Sequence, residues 1–187
     1  ANPNLADSDG GTPLMAAATF MGSLPLMRPL LEAKAEVDTV HPKHGGTAFH
    51  FACKYNRPDC AEALVRAGCD TSLRTKDGKT GRDVAQALGR TTVLERLEAL
   101  EKERELVGAA GNNDLQTMGR LIADGVSADA KDGDGNPAVL GAAMEGHLDA
   151  LKLLRRHGAK LEATDRFGWT ALIEAVYYGK TDCAEAL

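Results

Sequence analysis

The chain has 187 residues, of which 43% are apolar, 26% charged and only 4% aromatic, with a formal net charge of −5. Residues 1–100 carry 12 basic and 12 acidic residues and residues 101–187 carry 10 and 15, so there is no basic surplus to make a nucleic-acid surface. No apolar run approaches the roughly 18 residues of a membrane span, and Cys53, Cys60, Cys69 and Cys183 lack short-range pairing, as expected of reduced thiols in an intracellular, cytoplasmic protein.

A short pattern recurs. GGTPLMAAA at Gly10–Ala18 returns as GGTAFHFAC at Gly45–Cys53, as GKTGRDVAQ at Gly78–Gln86, as GNPAVLGAA at Gly135–Ala143 and as GWTALIEAV at Gly168–Val176. The intervals between the opening glycines are 35, 33, 57 and 33 residues. Motif and period together resemble the ankyrin-repeat family over nearly the whole chain. The resemblance implies an all-α solenoid of helix-turn-helix units separated by hairpin loops. Small apolar residues, mostly Ala, Leu and Val, suit the close packing of such thin layers.

In chain order, residues 1–4 read as the tail of a preceding repeat. Thr12-Pro13 then opens a helix expected over Leu14–Phe20, with Pro at the position where its missing N–H costs least. A loop at Met21–Ser23 leads to a second helix, Leu24–Glu32, which Pro29 is expected to bend or shorten. The second unit has a helix over Ala48–Tyr55 and another opened by Pro58 and stopped by Gly68. The third unit puts Gly81-Arg82-Asp83 where the motif has a buried Pro-Leu-His, and its second helix, Thr92–Leu100, is followed by no hairpin.

The interval of 57 residues is one period plus 24. From Thr91 to Ala110 there is no Pro and no Gly before Gly108, and Leu94, Leu97, Leu100, Leu106, Val107 and Ala110 follow roughly helical spacing. The expected arrangement is a first block at 1–100, a helical connector at 101–104 and a second block at 105–187, with either one continuous helix of about 20 residues through the junction or two short helices kinked near Glu101–Glu105. The second block opens with a capping-like unit whose second helix is Leu115–Ala123. It continues with helices at Ala138–Glu145 and Leu148–Arg156, and a last helix pair starts near Trp169 and stops at Leu187. A chain that starts at Ala1 and stops inside a repeat is expected to be part of a longer chain or a larger complex.

Candidate chemistry is thin. Gly78-Lys79-Thr80 lacks the glycine five residues earlier that a phosphate-binding loop needs, since position 73 is Leu. Asp132-Gly-Asp134-Gly-Asn136 starts like a calcium loop, but its sixth and twelfth positions are Pro137 and Ala143. His41, His44, His50 and Cys53 are possible zinc ligands; His50 and Cys53, however, occupy structural positions of the repeat, and His41 and His44 should lie out on the hairpin. No nucleophile, base and orienter occur as a set. No cofactor, metal or catalytic residue is expected.

The resemblance implies that partners are held by hairpin tips and the exposed face of each unit's first helix. In the last unit those places carry Phe167, Trp169, Tyr177 and Tyr178, four of the eight aromatics in the chain. Asp132, Asp134, Asn136, Met144 and Glu145 extend this strip with acidic character, which suits a partner offering an apolar knob flanked by Lys or Arg. The first block instead carries Lys43, His44, Lys54, Tyr55, Arg74, Lys76 and Lys79, a basic strip fit for an acidic segment. The expected function is a protein–protein interaction scaffold or adaptor without catalysis. Its partners are other proteins, one basic-apolar and one acidic, with no nucleic acid and no membrane insertion. The rival readings are the ankyrin region of a larger kinase- or ligase-type enzyme and a constitutive subunit of a large assembly.

Overall fold

The computed structural model describes residues 2–19 and 24–187. The expected end of the first helix at Phe20 and the loop at Met21–Ser23 lie outside the described residues. Among the described residues there are eleven helices and no strand beyond two isolated bridges, Lys131 to Pro137 and Thr164 to Thr170. The chain divides into two compact units, Ala1–Glu98 and Ala99–Leu187.

In the first unit, α1 (Pro13–Thr19), α3 (Ala48–Lys54) and α5 (Gly81–Ala87) are first helices that pack side by side, and α2 (Leu24–Glu32) and α4 (Pro58–Arg66) back them. In the second unit, α8 (Ala138–Glu145) packs on α10 (Ala171–Tyr177). Behind them stand α7 (Leu115–Ala123), α9 (Leu148–Arg156) and α11 (Thr181–Ala186). Helix α2 runs its full expected length with Pro29 inside it, so the proline does not shorten it. Starts are set by local caps. Thr80 Oγ1 accepts the Asp83 N–H while Asp83 Oδ2 accepts the Thr80 N–H, and Asp114 and Thr170 likewise accept the N–H three residues on.

Each core is made mostly of alanine and aliphatic side chains, with Phe49 the large ring of the first. Leu14, Met27, Phe49, Ala52, Cys53, Leu64, Ala85 and Val93 are buried in the first unit, and Leu106, Met118, Leu121, Val139, Leu151, Leu154 and Ala175 in the second. Fully burying one such leucine contributes about 1.5–3 kcal/mol, so the layers are held by apolar packing. Hydrogen bonds fix the register between successive repeats. Asn4 Oδ1 accepts the Glu36 N–H at 2.9 Å, Asp38 Oδ1 the Asp70 N–H at 3.0 Å and Asp129 Oδ1 the Lys160 N–H at 2.7 Å. A second set joins the residue before a second helix to the carbonyl that ends the preceding unit's first helix. Arg57 donates to Thr19 O through Nε and Nη2 (3.3 and 3.2 Å), Arg90 Nε to Lys54 O (2.9 Å) and His147 Nε2 to Gly111 O (3.1 Å).

The segment without a hairpin is one helix, α6 (Thr91–Gly111), which starts ten residues before the expected connector and runs seven beyond it. Its buried positions differ from those the sequence suggests. Val93, Leu97 and Leu100 form one stripe at i, i+4 and i+7, and Leu106, Ala109 and Ala110 begin another. Leu94 and Val107 are only half-buried. The six-residue step from Leu100 to Leu106 breaks the period, so one stripe drawn through both halves misplaces its members. The start of α6 is held by Asn56 Oδ1, which accepts the Val93 N–H at 3.1 Å, and by Glu62, which accepts from Arg96 Nε at 2.8 Å. Those bonds to Arg96, with Arg66 adding to them, hold the Glu62 carboxyl below its ordinary range.

Candidate functional site: two grooves and an aromatic cluster

The hairpin tips are built by side chains that bind their own backbone. Asp132 Oδ1 accepts the N–H groups of Asp134 and Asn136 at 2.9 and 2.8 Å, and Asp165 Oδ1 accepts those of Phe167 and Trp169, both at 2.8 Å. Thr75 Oγ1 takes the same part towards Lys79 N–H, and His41 Nδ1 accepts from Lys43 N–H. This corrects one expectation: the His41 side chain does not lie out on its hairpin. It is 8% exposed, with its ring 6.0 Å from Phe51 in an edge-on contact. Adjacent tips also touch: Lys76 N–H donates to His44 O at 3.2 Å.

In the first unit a groove of about 600 Å³ lies along α3, α5 and the hairpins before them. Its rim holds Lys43, His44, Lys54, Lys76 and Lys79 with a single acid, Asp77, and its floor holds Phe51, Val84, Ala87 and Leu88. The structure thus brings together five of the seven residues of the basic strip. Tyr55 caps the end of α3, and its ring lies 5.5 Å from Lys54 Nζ. Arg74 folds back on its hairpin, donating to Gly78 O at 2.7 Å and standing 3.7 Å from Asp83. His50 forms one wall. Its Nδ1 accepts the Thr47 N–H at 3.1 Å and its Nε2 donates to Lys79 O at 3.2 Å, which fixes the backbone beneath the Lys79 side chain. Burial lowers the His50 pKa against the opposing pull of the Lys79 and Leu73 backbone, and it pushes the Cys53 thiol up to about 12. With both ring nitrogens engaged, His50 serves the hairpin as a structural residue.

In the second unit a smaller groove, about 300 Å³, is lined by Asp132, Asn136, Met144 and Phe167 from the acidic strip together with Leu140, Asp165 and Glu174. Burial, and the charge of Asp165 beside it, push the Glu174 carboxyl above its ordinary range. Asp134 pairs loosely with Arg166 (3.8 Å), and Glu145 is exposed at the end of α8. The four aromatics do not form one strip. Trp169 meets Tyr177 edge-on at 5.2 Å and Tyr177 meets Tyr178 at 5.1 Å, whereas Phe167 stands on the groove under the Arg166 guanidinium, 5.0 Å away. Phe167, Tyr177 and Tyr178 are 73%, 68% and 50% exposed, and Trp169 is half-buried.

The sequence reading missed the groove floors. Counting from the Thr or Pro that opens each first helix, Lys54, Ala87 and Met144 stand at the seventh following position, near the helix end where binding residues were sought. Phe51, Val84, Gly141 and Glu174 stand at the fourth, one turn earlier on the same face. Aligning the repeats by that opening residue would have found them. The same register shows that Leu172, Ile173 and Val176 of α10, all exposed, match the buried Phe49, His50 and Cys53 and the buried Val139, Leu140 and Ala143. Among the described residues, no helix is long and apolar enough to cross a membrane, and no three His, Cys, Asp or Glu side chains converge as a metal site.

Comparison with known proteins agrees with this architecture. A family model described as ankyrin repeats (3 copies) matches residues 1–75 and 106–187. The mouse ankyrin repeat and SAM domain-containing protein 6 is 39% identical over 85 residues, covering 46% of this chain and 10% of that protein. The mouse B-cell lymphoma 3 protein homolog is 28% identical over 162 residues (79% and 36%), and human neurogenic locus notch homolog protein 1 is 27% identical over 180 residues (83% and 7%). The chain therefore spans about a third or less of the length of these relatives. The recurring helix pairs, their inter-repeat hydrogen bonds and the matched family model make this chain a member of the ankyrin-repeat family.

Proposed function

We propose that this chain is a protein-binding adaptor or scaffold region that performs no catalysis itself. Repeats of this family generally mediate protein–protein interaction. What supports a binding surface here is the exposure of Phe167, Tyr177 and Tyr178 on the last repeat, next to a groove with three carboxylates. Exposed aromatic rings give up little conformational freedom on binding and are enriched among the residues that anchor interfaces. The partner of this surface carries an apolar side chain flanked by Lys or Arg. Asp134 and Glu145 extend the acidic field around it, while Asp132 and Asn136 shape the hairpin. The first block, 1–100, presents a separate basic surface, and residues 101–104 lie within the helix that leads to the second block, 105–187. Four cysteines held as buried thiols support an intracellular setting.

The test is capture of proteins from native extract by the chain and by a variant with Phe167, Trp169, Tyr177 and Tyr178 all changed to Ala, after both show equal helical content and melting. Captured proteins that bind the parent and not the variant support the reading. An identical set on both baits removes the aromatic surface from the binding account.

A further inference from the structure

The first-unit groove combines two features that the basic strip alone does not contain. Its rim is cationic, with Lys43, Lys54, Lys76 and Lys79 against Asp77, and its floor is an open apolar trough of Phe51, Val84, Ala87 and Leu88. Leu88 is 45% exposed, large for a leucine at the end of a packed helix. We propose that this groove binds a peptide segment of a partner protein in which one bulky apolar side chain is bracketed by Asp or Glu. The inference rests on the adaptor reading above and specifies its partner for this unit.

The rim lysines are not equal. Lys43 is paired with Asp9 at 2.5 Å, and Lys76 donates to the Pro42 carbonyl, so both spend part of their charge within the chain. Lys54, at the end of α3, and Lys79, in the hairpin before α5, carry the recognition. The Lys79 backbone is fixed by His50 Nε2 and by Thr75 Oγ1, so its ammonium is presented from a rigid base. A carboxylate arriving at the rim meets positive charge beside a low-dielectric wall, where attraction is stronger than in bulk water. An apolar residue between two carboxylates then displaces water from Leu88 and Val84. The trough argues against a phosphate backbone as the ligand, because a nucleic-acid strand gains nothing from burying Leu88.

The experiment selects short random-sequence peptides on the intact chain, then measures the selected peptides against Lys54→Glu/Lys79→Glu, Leu88→Ser and Tyr177→Ala/Tyr178→Ala variants. All five substitutions are at exposed positions, and melting curves show which variants keep the fold; Leu88→Ala replaces Leu88→Ser if that variant melts early. The expected peptides carry Asp or Glu on both sides of Leu, Ile, Phe or Trp. They lose at least about tenfold in affinity with the charge-reversal variant and a similar factor with the Leu88 variant, and added salt weakens them. Acidic peptides that bind equally well without the apolar residue overturn the proposal. So does displacement of the peptide by a single-stranded oligonucleotide at equal concentration. Peptides that depend on Tyr177 and Tyr178 alone overturn the groove assignment while leaving the adaptor reading intact, and failure to select any peptide overturns it as well.

Discussion

The ring of Phe49 fills the space that a side chain on Gly81 would need. A Cβ built on Gly81 would stand 2.6 Å from both Cδ1 and Cε1 of Phe49 and 3.1 Å from Cys53 Sγ. The third repeat's departure from the motif is therefore complementary to the second repeat, whose large ring takes up the volume. Gly81→Ala gains about 0.5–1 kcal/mol in helix propensity but loses about 1–3 kcal/mol to overpacking, so the net effect is destabilising. Urea denaturation of Gly81→Ala should show a lower midpoint than the parent, with Phe49→Leu/Gly81→Ala less destabilised than the two single changes added. Strict additivity would mean the two positions do not share this space.

His50 gives the first unit a pH dependence. Burial lowers its pKa from the ordinary 6.5, so the unfolded chain binds a proton there before the folded one does. Stability is full above about pH 6.5 and falls as the pH drops from there through the lower folded-state value. Ring titration by NMR should place His50 below 6.5. His50→Leu, which installs the residue found at the matching Leu140, should flatten this part of the profile while lowering stability at neutral pH, because Thr47 N–H loses its acceptor and Lys79 O keeps only the Thr75 N–H of its two donors. A folded-state value above 6.5 would contradict the buried, neutral ring.

Arg57 donates twice to the carbonyl of Thr19, where α1 ends. Arg57→Ala should cost about 1–3 kcal/mol, the range for removing hydrogen bonds from a charged donor. Hydrogen exchange should accelerate at the end of α1 and leave α8–α11 unchanged. Equal acceleration throughout would show that the bond does not act locally.

Gly108 lies in the interior of α6, and a Cβ built there meets no atom within 4 Å. Gly108→Ala should therefore stabilise the chain by about 0.5–1 kcal/mol, read as a rise in thermal midpoint. A fall would mean that the helix needs the glycine for a reason other than space.

Much of the helical framework is legible in the residues because its signals are local. Leu115–Ala123, Ala138–Glu145 and Leu148–Arg156 are bounded within two residues by proline, aspartate or glycine at each end, and these act through backbone geometry within one turn. The charged rim of the first groove is equally readable, since Lys43, His44, Lys76 and Lys79 stand exposed on their hairpins. The floors are not, because Phe51 and Val84 become neighbours only when α3 and α5 are set side by side. His41 escaped for a related reason: its backbone belongs to a hairpin, but Phe51 draws its ring inward. On α6 the apolar residues serve two stripes in succession, and no single period through Leu94 and Val107 describes both.

The most direct test of the account is a hydrogen-exchange footprint of the chain bound to a captured partner. Protection is predicted at hairpins 41–46, 75–79, 132–136 and 165–168 and at the ends of α3, α5 or α10. Protection confined to the second helices α4, α7 and α9 would contradict the placement of binding on the hairpin tips and first helices.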